Sequence, residues 1–294
     1  MASLKEIKSR IGSVRSTRQI TSAMKMVASA KLHKAQGAIE SMLPYQTKLN
    51  AILTNLLSTY STVESPYVVK RPVNRVAIVV FSSNSSLCGA FNANVAKQLA
   101  QKIESYAGLG QENILIFPIG KKIEEAVKKM NYKVQGSFQH MADKPSYEET
   151  SALATQLMDL FASKEIDKVE LIYHHFKSVS SHALISTDYL PIDLTVNKAD
   201  ANDKKAQKKI RIDYIIEPSL EEFITELLPK VLCLQIFTAL LDSNASEHAA
   251  RMMAMQIATD NANELIQDLT KQYNKSRQQA ITNELLDIIG GSMK

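Results

Sequence analysis

A seven-residue apolar repeat runs without a slip from Leu220 to Ala280, and a second runs from Leu4 to Leu56 at the opposite end of the chain. Steps of three and four residues put Ile224, Leu227, Val231, Leu234, Leu241, Ala245, Met252, Met255, Ala262, Ile266 and Leu269 on one seam. They put Ile7, Ile11, Val14, Ala28, Leu32, Ala35, Ile39, Leu49 and Leu53 on the other. A seam held on one face of a helix is the signature of a coiled coil. Roughly 60 helical residues at about 1.5 Å of rise each predict a C-terminal rod of about 90 Å, and the N-terminal one comes to about 80 Å. Helices of that length exceed what a globular domain requires. If the two ends of one chain meet, they run antiparallel, and charge favours the pairing. Residues 1–62 hold nine Lys/Arg against Glu6 and Glu40, net +7, and residues 217–294 hold six Lys/Arg against eleven Asp/Glu, net −5. Opposite signs on facing helices select partner and orientation. The whole-chain charge of +5 therefore conceals a dipolar pair and does not point to nucleic acid, which requires an unpaired basic face.

Between the rods the period changes from helical to strand-like after Pro66 and Pro72. Residues 75–83, 113–120 and 169–176 are continuous apolar runs typical of buried strands, with helical stretches near 90–107, 121–131 and 147–163. This alternation predicts a small parallel sheet with covering helices. The Lys-rich run 197–209 reads as a surface loop, and 210–216 as a possible strand. The expected fold is α/β: a long antiparallel coiled coil of N- and C-terminal helices (1–62 and 217–294) carrying an inserted, Rossmann-like α/β domain at 73–216. With 45% hydrophobic residues and only 9 Gly and 8 Pro in 294, the chain has material for a core. Cys88 and Cys233 lack metal-type spacing and suit a reducing compartment. The charged N-terminus does not read as a signal peptide. The most apolar run, Val231 to Leu241, is too short to span a bilayer.

Three features of the insert invite an enzymatic reading. The loop from Ser82 to Asn92 joins a strand to a helix where phosphates often bind, and Gly120-Lys121-Lys122 sits at a similar turn. Neither carries the glycine spacing that would use it, so plain structural turns are the expected reading. Cys88 with His174 and His175 would make a nucleophile and base only if the fold brought them together, and a structural cysteine is the simpler expectation. His248, on the seam, reads as a packed core histidine.

The rods depart from uniform packing in two places. Between residues 18 and 25 the seam turns polar (Arg18, Thr21, Lys25) while Ile20, Met24 and Val27 form a different apolar stripe, which must meet something else or stay exposed. Antiparallel register also places Leu4 opposite the mid-270s. About a dozen C-terminal residues then overhang, on the order of 20 Å of helix, ending in Leu285, Leu286, Ile288 and Ile289 before Gly290-Gly291 is expected to stop it. A lone helix with an apolar tip needs a socket.

The runs Ile7-Lys-Ser-Arg-Ile-Gly-Ser-Val14 and Ile20-Thr-Ser-Ala-Met-Lys-Met-Val-Ala-Ser-Ala-Lys-Leu32 resemble the N-terminus of the γ subunit of F-type ATP synthases. Leu87-Cys-Gly-Ala-Phe-Asn92, the stretch from Ala245 to Ala262 and that from Tyr273 to Leu285 resemble the same family, so the likeness spans essentially the whole chain. It implies a central rotor shaft inside a hexamer of α and β subunits, one copy per complex, with the α/β domain outside against the ε subunit and the c-ring. No catalytic residue, cofactor or metal is implied. Ile20, Met24, Lys25 and Val27 would face β, with Met24 and Lys25 near its acidic loop. Arg277 and Gln278 would meet a β loop that catches the shaft, Arg251, Thr282 and Glu284 would share that coupling surface, and Ile288 and Ile289 would run in the sleeve at the top of the hexamer. The implied location is peripheral, on the cytoplasmic face of a bacterial inner membrane. The chain departs from the family pattern at Asn84-Ser85-Ser86 and at Gly290-Gly291-Ser292, and lacks the Cys-bearing insertion of light-regulated chloroplast forms, so redox control is not expected. The alternatives are a nucleotide-binding enzyme with a coiled-coil arm and a free-standing coiled-coil scaffold.

Overall fold

A computed structural model describes residues 3–59, 65–192, 216–217 and 219–292. The expected loop at 197–209, all but the last residue of the expected strand 210–216, and the end of the first rod beyond residue 59 lie outside the described residues. Two helices bracket the chain, α1 (Leu4–Thr59) and α6 (Leu220–Ser292). The chain divides into two compact units, Met1–Ala30 with Arg251–Lys294, and Lys31–Ala250.

The first unit is the paired outer part of α1 and α6. Every described seam position in it is buried or half-buried, with Ile7, Thr21, Ala28, Met255, Ala262 and Leu269 the most enclosed. Thr21 meets Thr259, and Arg18, earlier in α1, meets Asn263, later in α6. The helices therefore run antiparallel, as the repeat and the charge asymmetry predict. The helix does not stop at Gly290-Gly291 but continues to Ser292. The entropic cost of glycine, roughly 1 kcal/mol against alanine, is a weak brake and does not act as a stop signal.

The second unit is built on a four-stranded sheet in the order β2-β1-β3-β4: β1 (Val76–Phe81), β2 (Ile114–Ile119), β3 (Lys168–Ser178) and β4 (Ser181–Leu190). β1 pairs in parallel with β2 and β3, whereas β4 returns antiparallel along β3. The expected all-parallel sheet is thus a mixed one. β4 escapes sequence reading because it is half-buried and its run, Ser-His-Ala-Leu-Ile-Ser-Thr-Asp-Tyr-Leu, is neither continuously apolar nor cleanly alternating. The covering helices are α2 (Phe91–Ser105), α3 (Lys121–Lys129), the short α4 (Gln139–Asp143) and α5 (Tyr147–Ala162).

β1 and β2 are continuously apolar because both faces of the sheet are covered. Val76, Ile78, Val80, Ile116 and Ile172 pack with Val95 and Leu99 of α2 and Ile123 and Val127 of α3. Ala77, Val79, Phe81 and Phe117 pack on the other face with Leu153, Leu157 and Phe161 of α5 and with Leu232, Ile236 and Leu240 of α6. An 18-residue window of α6 is apolar enough to cross a membrane, but 61% of it is buried inside the chain, which is the pattern of a core helix. From Ser243 to Ala250 eight successive residues of α6 are buried, so this stretch has no face turned to solvent.

Two buried charge clusters brace the sheet. Asp167 accepts from the Asn74 and Arg75 amides (2.9 and 3.0 Å) and from Arg71 Nε (2.7 Å). Burial alone would raise its carboxyl, but these donors outweigh it and hold the group below the usual carboxylate range. Arg71 also donates to the Phe161 and Ile166 carbonyls and lies over the Phe161 ring. Glu170, fully enclosed in β3, is paired with Lys102 (2.8 Å) and Lys168 (2.7 Å) and receives the Tyr106 hydroxyl (2.6 Å). Burial is again outweighed, and its carboxyl is held down.

Candidate functional site

Every residue that the resemblance assigns to a partner surface lies in the first unit. On α1, Ile20 is 60% exposed and Val27 58%, while Met24 and Lys25 are half-buried. On α6, Arg251 is half-buried, and Arg277, Gln278, Thr282 and Glu284 are exposed. Thr282 returns its hydroxyl to the Gln278 carbonyl of its own helix (2.9 Å). Ile288 and Ile289 are 67% and 53% exposed, alongside exposed Ile281, Leu285 and Leu286. From residue 281 to 289 every position is open to solvent, which is the overhang expected once Leu4 reaches the mid-270s. Five large apolar side chains along one exposed helix end are unfavourable in water. The surface extends to residues not singled out by the sequence: Met26 on α1 and Met253, Ile257 and Leu265 on α6 are also exposed. Their signal was available, since all four fall outside the repeat.

The polar stretch of the seam behaves differently from expectation. As polar interruptions of the seam, Arg18, Thr21 and Lys25 are expected to weaken it locally, a trade of packing for contact with β. Instead Thr21 is buried, its hydroxyl 2.8 Å from that of Thr259, and Arg18 Nη1 donates to Asn263 Oδ1 at 3.4 Å. Polar residues occur at the same level on both helices, so they satisfy each other across the seam.

In the second unit the two turns that resemble phosphate sites close on each other. The Lys121 amide at the start of α3 donates to Asn84 Oδ1 (2.9 Å), the Ile123 amide to Ser82 Oγ (3.1 Å) and the Lys122 amide to the Ser83 carbonyl (3.1 Å). Gly120 lies at φ +103°, where a Cβ would collide with the Ser82 carbonyl oxygen. Glycine is there to let the two turns touch. The donors a phosphate would use at α3 are occupied. Asn84, one of the departures from the family pattern, further donates to the Gln139 carbonyl (2.8 Å) and so ties α3 to α4. A cavity of ≈ 10 Å³ beside Ser82, Ser243, Asn244 and Glu247 has room for about one water.

Cys88 and the two histidines do not assemble a nucleophile and base. Cys88 is buried with Phe91 and Ala250 and receives Asn92 Nδ2 at 3.2 Å. His174 is 2% exposed and stacks on Phe91 with centroids 4.2 Å apart. Burial, together with His182 at 5.6 Å, lowers its imidazole to about 4, which keeps it neutral. His175 points elsewhere, its Nδ1 2.7 Å from Asp242 Oδ2. His248 is buried on the seam, as expected. Among the described residues no group of three His, Cys, Asp or Glu side chains is placed to hold a metal.

The family model described as ATP synthase matches residues 3–293. The chain is 69% identical to the ATP synthase gamma chain of Bacteroides fragilis over the full length of both, and 45% identical to that of Flavobacterium johnsoniae, covering 99% of this chain and 98% of the relative. The chain belongs to the ATP synthase gamma chain family. Among solved structures, a chain of the Euglena gracilis mitochondrial ATP synthase assembly of OSCP, F1 and c-ring matches with a TM-score of 0.64 at 20% identity, covering 99% of this chain and 93% of that one. A chain of the Tetrahymena thermophila mitochondrial ATP synthase central stalk and c-ring matches with a TM-score of 0.60 at 24% identity, covering 81% and 99%. These establish a shared fold of two long helices around a mixed sheet. The full-length relatives leave no ground for an enzyme with a coiled-coil arm or an independent scaffold.

Proposed function

We propose that this chain is the central-stalk rotor of an F-type proton-translocating ATP synthase, coupling rotation of a membrane c-ring to conformational change at catalytic sites on the β subunits. The observation that carries the reading is the solvent-open run from 281 to 289 with its five large apolar side chains, on a chain of this family. In this reading residues 1–62 and 217–294 form the shaft inside a hexamer of α and β subunits. Residues 73–216 form the outer domain that meets ε and the c-ring, on the cytoplasmic face of a bacterial inner membrane. The chain itself performs no chemistry.

The mechanism follows from asymmetry. A rod inside a near-threefold ring presents a different face to each β subunit, so each catalytic site is held in a different state. Turning the rod exchanges those states and links proton flow to ATP synthesis or hydrolysis. Ile20, Met24, Lys25 and Val27 bear on β. Arg277 and Gln278 engage the loop that catches the shaft, Arg251, Thr282 and Glu284 belong to the same coupling surface, and Ile288 and Ile289 turn in the apolar sleeve. The test is Arg277→Ala with Gln278→Ala in a complex reconstituted from α, β and this chain. Hydrolysis slows while one copy of the chain still assembles with three α and three β subunits. Normal turnover would remove both residues from the coupling surface, and failure of any α and β mixture to recruit the chain would refute the rotor reading.

A further inference from the structure

In the first unit the seam is polar at one level on both helices at once, and the hydrogen bonding there is closed. Thr21 Oγ1 and Thr259 Oγ1 are 2.8 Å apart, while Thr259 also reaches its own Met255 carbonyl (2.8 Å) and Thr21 its own Arg18 carbonyl (3.1 Å). Each hydroxyl has a single proton. Whichever one donates across the seam, the other donates to its own helix, so the bond between helices persists in either arrangement and needs no water.

With Thr21 facing Thr259, the repeat brings Arg18 to Ala262, Val14 to Ile266 and Ala28 to Met252. The small Ala262 leaves the Arg18 guanidinium room to pass to Asn263. Sliding one helix by a heptad in either direction would set Thr21 against Met252 or Ile266, Thr259 against Val14 or Ala28, and Arg18 against Met255 or Leu269. All of those are apolar. Among these registers only the observed one gives Thr21 and Thr259 a polar partner; the slip that sets Thr21 against Met252 would bring Lys25 to His248 but leaves both threonines against apolar side chains. A single buried polar position sets the register of coiled coils at a cost in stability.

We propose that the layer of Arg18, Thr21, Thr259 and Asn263 is a register lock. It fixes how far the two helices slide and turn past each other at this level, and with that the direction in which the exposed Ile20 and Val27 of α1 and Ile257 of α6 point. The wider apolar seam supplies the adhesion, and this layer supplies the alignment.

Engineered cysteine pairs in the full chain test the lock, with Cys88 and Cys233 replaced by alanine. Ile11→Cys with Leu269→Cys reports the observed register; Ile11→Cys with Ala262→Cys, or with Ser276→Cys, reports a slip of one heptad. Disulfide formation under mild oxidant is followed on non-reducing gels. With the layer intact, the first pair closes and the slipped pairs stay open. Adding Thr21→Val, Thr259→Val and Arg18→Met raises the closure rate of a slipped pair at least tenfold and leaves the melting midpoint unchanged or higher. Slipped pairs that stay at the parental rate would overturn the proposal. A lowered midpoint would also overturn it, because the layer would then be an ordinary stabilising contact.

Discussion

The stacked histidine of β3 gives a pH dependence that can be worked out in advance. His174 is held at about 4 in the folded chain against 6.5 for an unperturbed imidazole. Its folded value is depressed, so the unfolded state takes up the proton first. The penalty on folding is absent well above pH 6.5, grows as pH falls through the window from 6.5 to 4, and is complete below it. A gap of this size corresponds to about 3 kcal/mol in total, of which about 2 kcal/mol accrues between pH 7 and pH 5. The depressed carboxyls of Asp167, Glu170 and Glu124, the last on α3 and held down by hydrogen bonds from Gln139, Lys128 and Ser137, act in a lower window. Their stabilisation is present above the unfolded carboxylate values, near 4, and is lost as pH falls below them, so between pH 7 and 5 the histidine dominates. His174→Phe keeps a ring against Phe91 and gives up no hydrogen bond at Nδ1, which has no partner. Urea unfolding of the full chain at the two pH values checks the effect: the parent loses about 2 kcal/mol more than the variant. Equal losses, or a native His174 resonance titrating near 6.5, would refute the reasoning.

The closed turns and the braced strand give sharper stability tests. Gly120→Ala meets both a left-handed backbone and the Ser82 carbonyl, and costs on the order of 3 kcal/mol or more, read as a lowered melting midpoint. Asp167→Ala removes the counter-charge of Arg71 and leaves its Nε and the Asn74 and Arg75 amides without their acceptor, and costs about 3 kcal/mol by urea unfolding. At the other extreme, Leu285→Ser with Ile288→Ser removes exposed apolar groups. It shifts the stability of the isolated chain by about 0.5 kcal/mol or less, while slowing hydrolysis in the reconstituted complex.

The helices were legible because their signal is repeated many times over. Each heptad restates the seam, and no single residue such as Pro44 or Pro229 inside the helices can erase it. The first three strands were legible for a related reason: two covered faces force largely apolar runs. β4 was not, because a half-buried edge strand accepts Ser, His, Thr and Asp without penalty and leaves no period to read. Exposed Ile20 and Val27 were visible as a stripe off the seam, as was the overhang from simple counting along the helices. The role of Arg18 and Thr21 was not, because their polarity reads as a defect in one helix until its counterparts on the other are paired with it. That pairing depends on register, a property of two segments more than 200 residues apart.

The fully enclosed stretch of α6 from Ser243 to Ala250 has a consequence for variation in this family. Its residues, Ser-Asn-Ala-Ser-Glu-His-Ala-Ala, are mostly already near the lower limit of side-chain size, so mutation there has little to remove. Nearly every change adds volume where the surroundings are packed on all sides, at roughly 1–3 kcal/mol each. Drift through this segment is therefore blocked in one direction and nearly exhausted in the other. Neighbouring helices and strands can evolve around these eight positions more easily than the positions themselves can move.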